Sequence, residues 1–173
     1  MEKSDQHKIL FVCMGNICRS PSAEGILVNK VKAESIDKKF IIDSCGTHGY
    51  HEGQGPDPRS IEVALLRGID IRHQISRRIK TKDFKFFDLI LPMDNYNLEF
   101  LKNISDPIHH HKILLFLEFS QQSDYIEVPD PYYGDDSGFE LVLDLLDEAA
   151  EGLINHLVNN YKILFWWNNI FPR

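Results

Sequence analysis

Cysteine, positive charge and long apolar runs are all scarce in this sequence. Its 173 residues hold only three cysteines, Cys13, Cys18 and Cys45. An odd, low count is not a secreted disulfide framework; it suits a reducing compartment, where a thiol is free for chemistry. Lysine and arginine number 19 against 26 acidic residues, a formal net charge of −7. No general basic field is offered to nucleic acid, so any anion must be held by a local device. No apolar run approaches the ~20 residues of a membrane-spanning helix, and polar Met1 to Lys8 does not read as a secretory leader. The expectation is a cytoplasmic protein with no nucleic-acid partner and no membrane span. The apolar content of 43% and charged content of 26% are those of a globular domain. A chain of this length buries a core without staples.

What is present alternates. Ile9 to Val12 reads as a buried strand. After it Ser20-Pro21 suggests a helix with Ser20 as N-cap and Pro21 as first residue, carrying Ala23, Ile26, Leu27 and Val31 on one face. Phe40 to Ser44 is a second strand. Asp57-Pro58 opens a helix over Ile61, Val63, Ala64, Leu65 and Leu66 that Gly68 ends. Asp88 to Leu91 and Ile113 to Phe116 are the third and fourth strands. Ser137-x-x-Glu140 reads as a capping box before a long helix through Leu141, Leu145, Ala149, Leu153 and Leu157. The expected fold is therefore α/β: a single-domain three-layer sandwich, with a four-stranded parallel sheet flanked by helices. The domain spans 1–161. Residues 162–173 form an apolar extension of unassigned role, with Ile163 to Trp167 its most apolar part.

Ligands of such sheets bind beyond the C-terminal ends of the strands, and the first strand ends at Cys13. The segment from Cys13 through Met14, Gly15, Asn16, Ile17 and Cys18 to Arg19, Ser20 and Pro21 is built for an anion. A loop between a strand and a helix N-terminus aims several backbone N–H groups at one point, and the helix dipole adds to them. Gly15 is read as the residue that lets the loop turn tightly. Arg19 offers a planar fork for two phosphate oxygens. Cys13 lies under the same field, which favours its thiolate and makes it a nucleophile beneath a bound phosphate.

Cysteine, five residues, arginine and serine straight after a strand resembles the phosphate loop of cysteine-dependent phosphatases. The fuller string Cys-x-Gly-Asn-x-Cys-Arg-Ser-Pro near the N-terminus resembles the low-molecular-weight protein tyrosine phosphatases. Asp43-Ser44-Cys45-Gly46-Thr47, Asp57-Pro58-Arg59, Gly68 to His73 and Met93-Asp94 continue the likeness. It implies hydrolysis of phosphotyrosine through a phosphocysteine on Cys13, with no metal and no organic cofactor. It also implies that Asn16, Ser20, Ser44 and His73 hold the loop in shape, and that Cys13 and Cys18 can join under oxidation. Pro92 stands where the family more often has a small residue, and it is expected to end the third strand.

Expelling tyrosine is helped by a proton. In Val128-Pro129-Asp130-Pro131-Tyr132-Tyr133 the residues alone permit a plain turn. The family carries its acid in such an Asp-Pro-Tyr segment, which assigns that role to Asp130 ahead of Asp135 and Asp136. The phenyl ring of the substrate needs an apolar slot, for which Ile17, Tyr50, Tyr132 and Tyr133 are the candidates, beside Met14, Gly15, Asn16, Cys18 and Ser20 of the phosphate loop. Isoleucine at position 17, where related phosphoarginine enzymes carry threonine, favours a flat ring. Expected partners are phosphotyrosine-bearing proteins and phosphate or oxyanion inhibitors; weak self-association is compatible with the sequence. An arsenate reductase of the same fold would need two further downstream cysteines, and none follows Cys45. A phosphoprotein-binding module would lack nucleophile or acid. Three adjacent histidines, His109 to His111, do not share one face and read as solvated.

Overall fold

The structure, a computed structural model, describes residues 6–133 and 137–170, with side chains as far as Leu157. Three strands, β1 (His7–Cys13), β2 (Phe40–Gly46) and β3 (Leu89–Pro92), pair in parallel in the order β2-β1-β3. The helices are α1 (Arg19–Ala33), α2 (Pro58–Leu66), the short α3 (Asp83–Phe86), α4 (Asn95–Ile104) and the long α5 (Ser137–Ile170).

The central strand explains the layering. Successive side chains of a strand point to opposite faces, and β1 is apolar at both parities. Ile9, Phe11 and Cys13 face a cluster built with Ile26, Leu27, Leu146 and Leu153 of α1 and α5. Leu10 and Val12 face a smaller cluster with Ile79, Phe84, Phe87 and Leu101. Both faces of the sheet are thus covered, as a parallel sheet requires.

The fourth strand is reduced to a single parallel bridge between Ile90 and Ile113, with Leu114 N donating to Ile90 O at 3.2 Å. The chain then turns into a 3-10 helix over Phe116–Phe119. Phe116 turns inward, edge-on to Phe11 at 4.8 Å; burying that ring ends the pairing. The third strand does stop at Pro92, and Met93 N donates to Val12 O at 3.0 Å just beyond it. The second strand runs two residues further than expected, to Gly46, placed opposite Cys13. Glu140 turns its carboxylate to Arg67. The rival acids Asp135 and Asp136 lie outside the described residues, as do the side chains of Ile163 to Trp167.

Candidate active site

The loop after β1 is shaped by where its carbonyls go. Thr47 N donates to Cys13 O at 2.9 Å, His48 N to Met14 O at 3.0 Å and Asp57 N to Ile17 O at 2.8 Å. Ser76 Oγ donates to Gly15 O at 3.1 Å. Ser22 takes Cys18 O through both its N–H and its hydroxyl. With these carbonyls drawn outward, the peptide planes turn their N–H groups toward the centre of the loop, the geometry of an anion cradle.

The left-handed turn falls on Asn16, with φ 55°, and Gly15 is not in that region. Asparagine tolerates this backbone because its side chain can bond locally. Here Asn16 Nδ2 donates to Ser20 Oγ and to Ser44 Oγ, both at 2.9 Å, and Arg77 N donates to Asn16 Oδ1 at 3.0 Å. Each such bond is worth about 1 kcal/mol. Room is short at Gly15: a Cβ there would lie 3.1 Å from the His51 ring, which would have to shift by a few tenths of an ångström. Gly46 is tighter still, since a Cβ would meet Met14 O at 2.7 Å and His48 O at 2.9 Å.

Ser20 is not the cap of α1. The helix starts at Arg19 with Cys18 as N-cap, which leaves the Ser20 hydroxyl free to sit 3.0 Å from Cys13 Sγ. Asn16 N donates to the same sulfur at 3.3 Å. Cys13 is 3% exposed and lies at the floor of a cleft of about 230 Å³. Of the predicted site residues, Met14, Gly15, Ile17, Cys18, Arg19, Tyr50, Asp130, Tyr132 and Tyr133 line the same cleft. Asn16, Ser20 and Ser44 lie behind it, in the loop's support.

Arg19, 2% exposed, has its fork divided between two carboxylates. Nη1 donates to Asp94 Oδ2 at 2.5 Å and to Val128 O at 3.0 Å, and Nη2 donates to Asp130 Oδ2 at 2.9 Å. Burial works against the Arg19 charge, but Cys13, Asp130 and Asp94 outweigh it and hold the guanidinium above its ordinary range. The Cys18 thiol is pushed up to about 12 by burial, against a lowering bond from Ser60.

His73 does not join the support. It is exposed, in the turn after Ile71, and its neighbour Gln74 points inward, donating from Nε2 to Pro21 O at 3.1 Å. The inward positions here are Ile71, Gln74 and Ser76, which leaves His73 on the outside. Several contributors were not foreseen. Ser44 Oγ donates to Glu24 Oε2 at 2.6 Å, so the support ends on a carboxyl that burial raises to about 7. Asp94 caps α4, accepting from Asn97 N at 2.7 Å, and an N-cap reading of Met93-Asp94-Asn95 was the available signal. Ser76, Arg77 and His51 act through folded proximity and carry no local sequence signal. Among the described residues, no group of three or more His, Cys, Asp or Glu side chains could hold a metal ion.

The sequence profile described as low molecular weight phosphotyrosine protein phosphatase matches residues 8–162. A putative low molecular weight protein-tyrosine-phosphatase from Synechocystis is 42% identical over 154 residues, covering 87% of this chain and 96% of the relative. The low molecular weight phosphotyrosine protein phosphatase of Schizosaccharomyces pombe is 43% identical over 133 residues, covering 76% and 85%. The crystal structure of a protein tyrosine phosphatase from Entamoeba histolytica, with Hepes in the active site, superposes with a TM-score of 0.87 at 42% identity, covering 90% of this chain and 99% of that one.

Proposed function

The chain belongs to the low molecular weight phosphotyrosine protein phosphatase family, a family of cysteine-dependent tyrosine phosphatases, and from that premise we propose how its own residues divide the work. The substrate is a phosphotyrosine monoester in a protein. Cys13 is the nucleophile, Arg19 and the loop amides bind the phosphate, and Asp130 is the general acid and then the general base. The observation that carries this reading is the convergence in one cleft of a buried sulfur, an inward-turned amide loop, a guanidinium and a carboxyl.

In the first step phosphate oxygens replace Asp130 on Arg19 Nη2, and the released carboxylate takes up a proton from solvent and turns to the ester oxygen. Cys13 Sγ bonds to phosphorus as the bond from phosphorus to the tyrosine oxygen breaks, and Asp130 gives its proton to that oxygen. In the second step water attacks the phosphocysteine. Asp130 takes the water's proton, and the thiolate leaves toward the Ser20 hydroxyl and the Asn16 amide, which are already 3.0 and 3.3 Å from the sulfur. Inorganic phosphate and related oxyanions compete for the same cradle. Hepes, found in the active site of the Entamoeba enzyme, carries a sulfonate of similar shape.

Ile17 at the floor and Tyr50, Tyr132 and Tyr133 at the rim favour a flat ring that is long enough to present its phosphate to Cys13. Phosphoserine is too short for this slot. Among the described residues no helix is long and apolar enough to cross a membrane, and a cytoplasmic setting is part of the proposal because it keeps the three free cysteines reduced.

The assignment of the acid is tested by Asp130→Asn. Its kcat/KM for phenyl phosphate should fall by about a hundredfold or more. The loss should be much smaller for 2,4-dinitrophenyl phosphate, whose leaving group needs no proton. Wild-type kcat/KM on phenyl phosphate would place the acid elsewhere.

A further inference from the structure

Arg59, the second residue of α2, stands outside the reacting atoms yet ties together the two loops the reaction needs in register. At its own helix, Arg59 N and Nε donate to Asp57 Oδ1 at 2.8 and 3.1 Å, and Nη2 donates to Asp57 Oδ2 at 3.0 Å. Asp57 is in turn fixed to the phosphate loop through its own N–H on Ile17 O at 2.8 Å. On the other side, Arg59 Nη1 and Nη2 both reach Tyr132 O at 3.4 Å. Its guanidinium carbon lies 5.5 Å from the Tyr132 ring centre and 4.6 Å from that of Phe139, within cation–π range. Tyr132 N donates to Asp130 Oδ1 at 3.1 Å. The sequence of contacts therefore runs from the phosphate loop through Asp57, Arg59 and Tyr132 to Asp130. Phe139 lies in the first turn of α5, so Arg59 touches the chain on both sides of residues 134–136.

A planar guanidinium with five donors can hold a carboxylate edge-on while its face lies over a ring; a lysine ammonium cannot do both. The Asp57 carboxyl is held below its usual range by these Arg59 bonds, in spite of partial burial. It stays charged and keeps the guanidinium oriented.

We propose that Arg59 is a positioning residue for the general acid, a strut that sets the Asp130 segment against the phosphate loop so that the carboxyl meets the leaving oxygen in line with Cys13. The inference rests on the reading of Asp130 as the acid. Misplacing a catalytic group by about 1 Å can cost about a hundredfold in rate, and the loss must depend on how much the leaving group needs its proton. A residue that merely stabilised α2 would lower all rates alike, or none.

The test measures kcat/KM, which reports the step up to phosphoenzyme formation, for the full chain over a series of aryl phosphates from phenyl to 2,4-dinitrophenyl. Arg59→Met should lose about ten- to a hundredfold on phenyl phosphate and much less on the dinitrophenyl ester. Arg59→Lys, which keeps the charge and a side chain at the helix start, should show the same leaving-group dependence and serves where Arg59→Met fails to fold. Asp130→Asn in the same series separates the two ideas. If Asp130→Asn is steep and both Arg59 variants are flat, the positioning role falls and the acid assignment stands. If Asp130→Asn is itself flat, both fall. The combined variant Arg59→Met with Asp130→Asn should be no steeper than Asp130→Asn alone, because a strut has nothing to position once the acid is gone. A steeper combined response would also overturn the proposal.

Discussion

Cys18 is the residue whose environment most restricts what it can do. It lines the cleft with Cys13 and is close enough to feel that sulfur's charge, yet burial pushes its thiol up to about 12. A thiol so protonated attacks slowly at neutral pH, since the thiolate is the nucleophile. A protective role for Cys18 would run from the Cys13 sulfenic acid that peroxide forms on a thiolate, through attack by the Cys18 sulfur, to a disulfide and water. The fraction of activity that thiol reductants restore after peroxide should therefore rise with pH, and Cys18→Ser should lose most of that recovery. Peptide mapping that finds Cys13 sulfinic acid beside a free Cys18 at early times would reject this protective role. At this scale the sequence was informative where a residue type is chemically committed. Cys13 and Arg19 could be singled out from their types and spacing after a strand, whereas Asp130, which the residues alone leave in a plain turn, was singled out only by the family's Asp-Pro-Tyr segment; the structure places all three on one cleft. That the left-handed position falls on Asn16 was not legible, because φ belongs to the folded backbone; the Asn16 side chain has three partners to hold it there. His73 was placed in the support by resemblance alone; in this fold it is exposed and Gln74 takes the inward place.

At the level of elements, strand and helix order was readable from apolar period, while the shortness of the fourth strand's pairing was not. Ile113 to Phe116 has a strand's composition, but only Ile113 pairs; the chain then coils so that Phe116 packs on Phe11. The coil has its own seat on α5. Gly152 lies where a Cβ would stand 1.8 Å from Phe119 O, so the helix and the 3-10 turn meet backbone to backbone. Glycine in a helix interior ordinarily costs about 1 kcal/mol relative to alanine. Here Gly152→Ala should instead destabilise by about 1–3 kcal/mol, the usual range for an overpacked contact. Thermal unfolding should show a Tm lower by several degrees, and an equal or higher Tm would mean that the two elements are not in such contact.

For the whole molecule, the support of the phosphate loop ends on a half-buried carboxyl, and that gives stability a pH dependence. Glu24 bonds Ser44, is raised by burial and by Asp43, and is lowered by Ser44 and Arg77, with a net value of about 7 against the usual 4.5. A carboxyl raised in the folded state favours the protonated form there, so its contribution is fully present below the unfolded value and is lost as pH rises through about 7. Denaturant unfolding should show stability falling between these limits by up to about 3 kcal/mol. Glu24→Gln should flatten that fall; an unchanged slope would assign the dependence to other groups. Asn16 and Ser44 were expected in this support by family resemblance, but Glu24 and Arg77 carry no local signal and join it only in the fold. The central claim, that phosphate passes through a covalent bond to Cys13, has one direct measurement. Acid quenching during the first turnover of a phosphotyrosine peptide, followed by peptide mapping, should place phosphate on Cys13, and Cys13→Ser should bind the peptide without turning it over. Phosphate found on another residue, or turnover by Cys13→Ser well above background, would contradict the account.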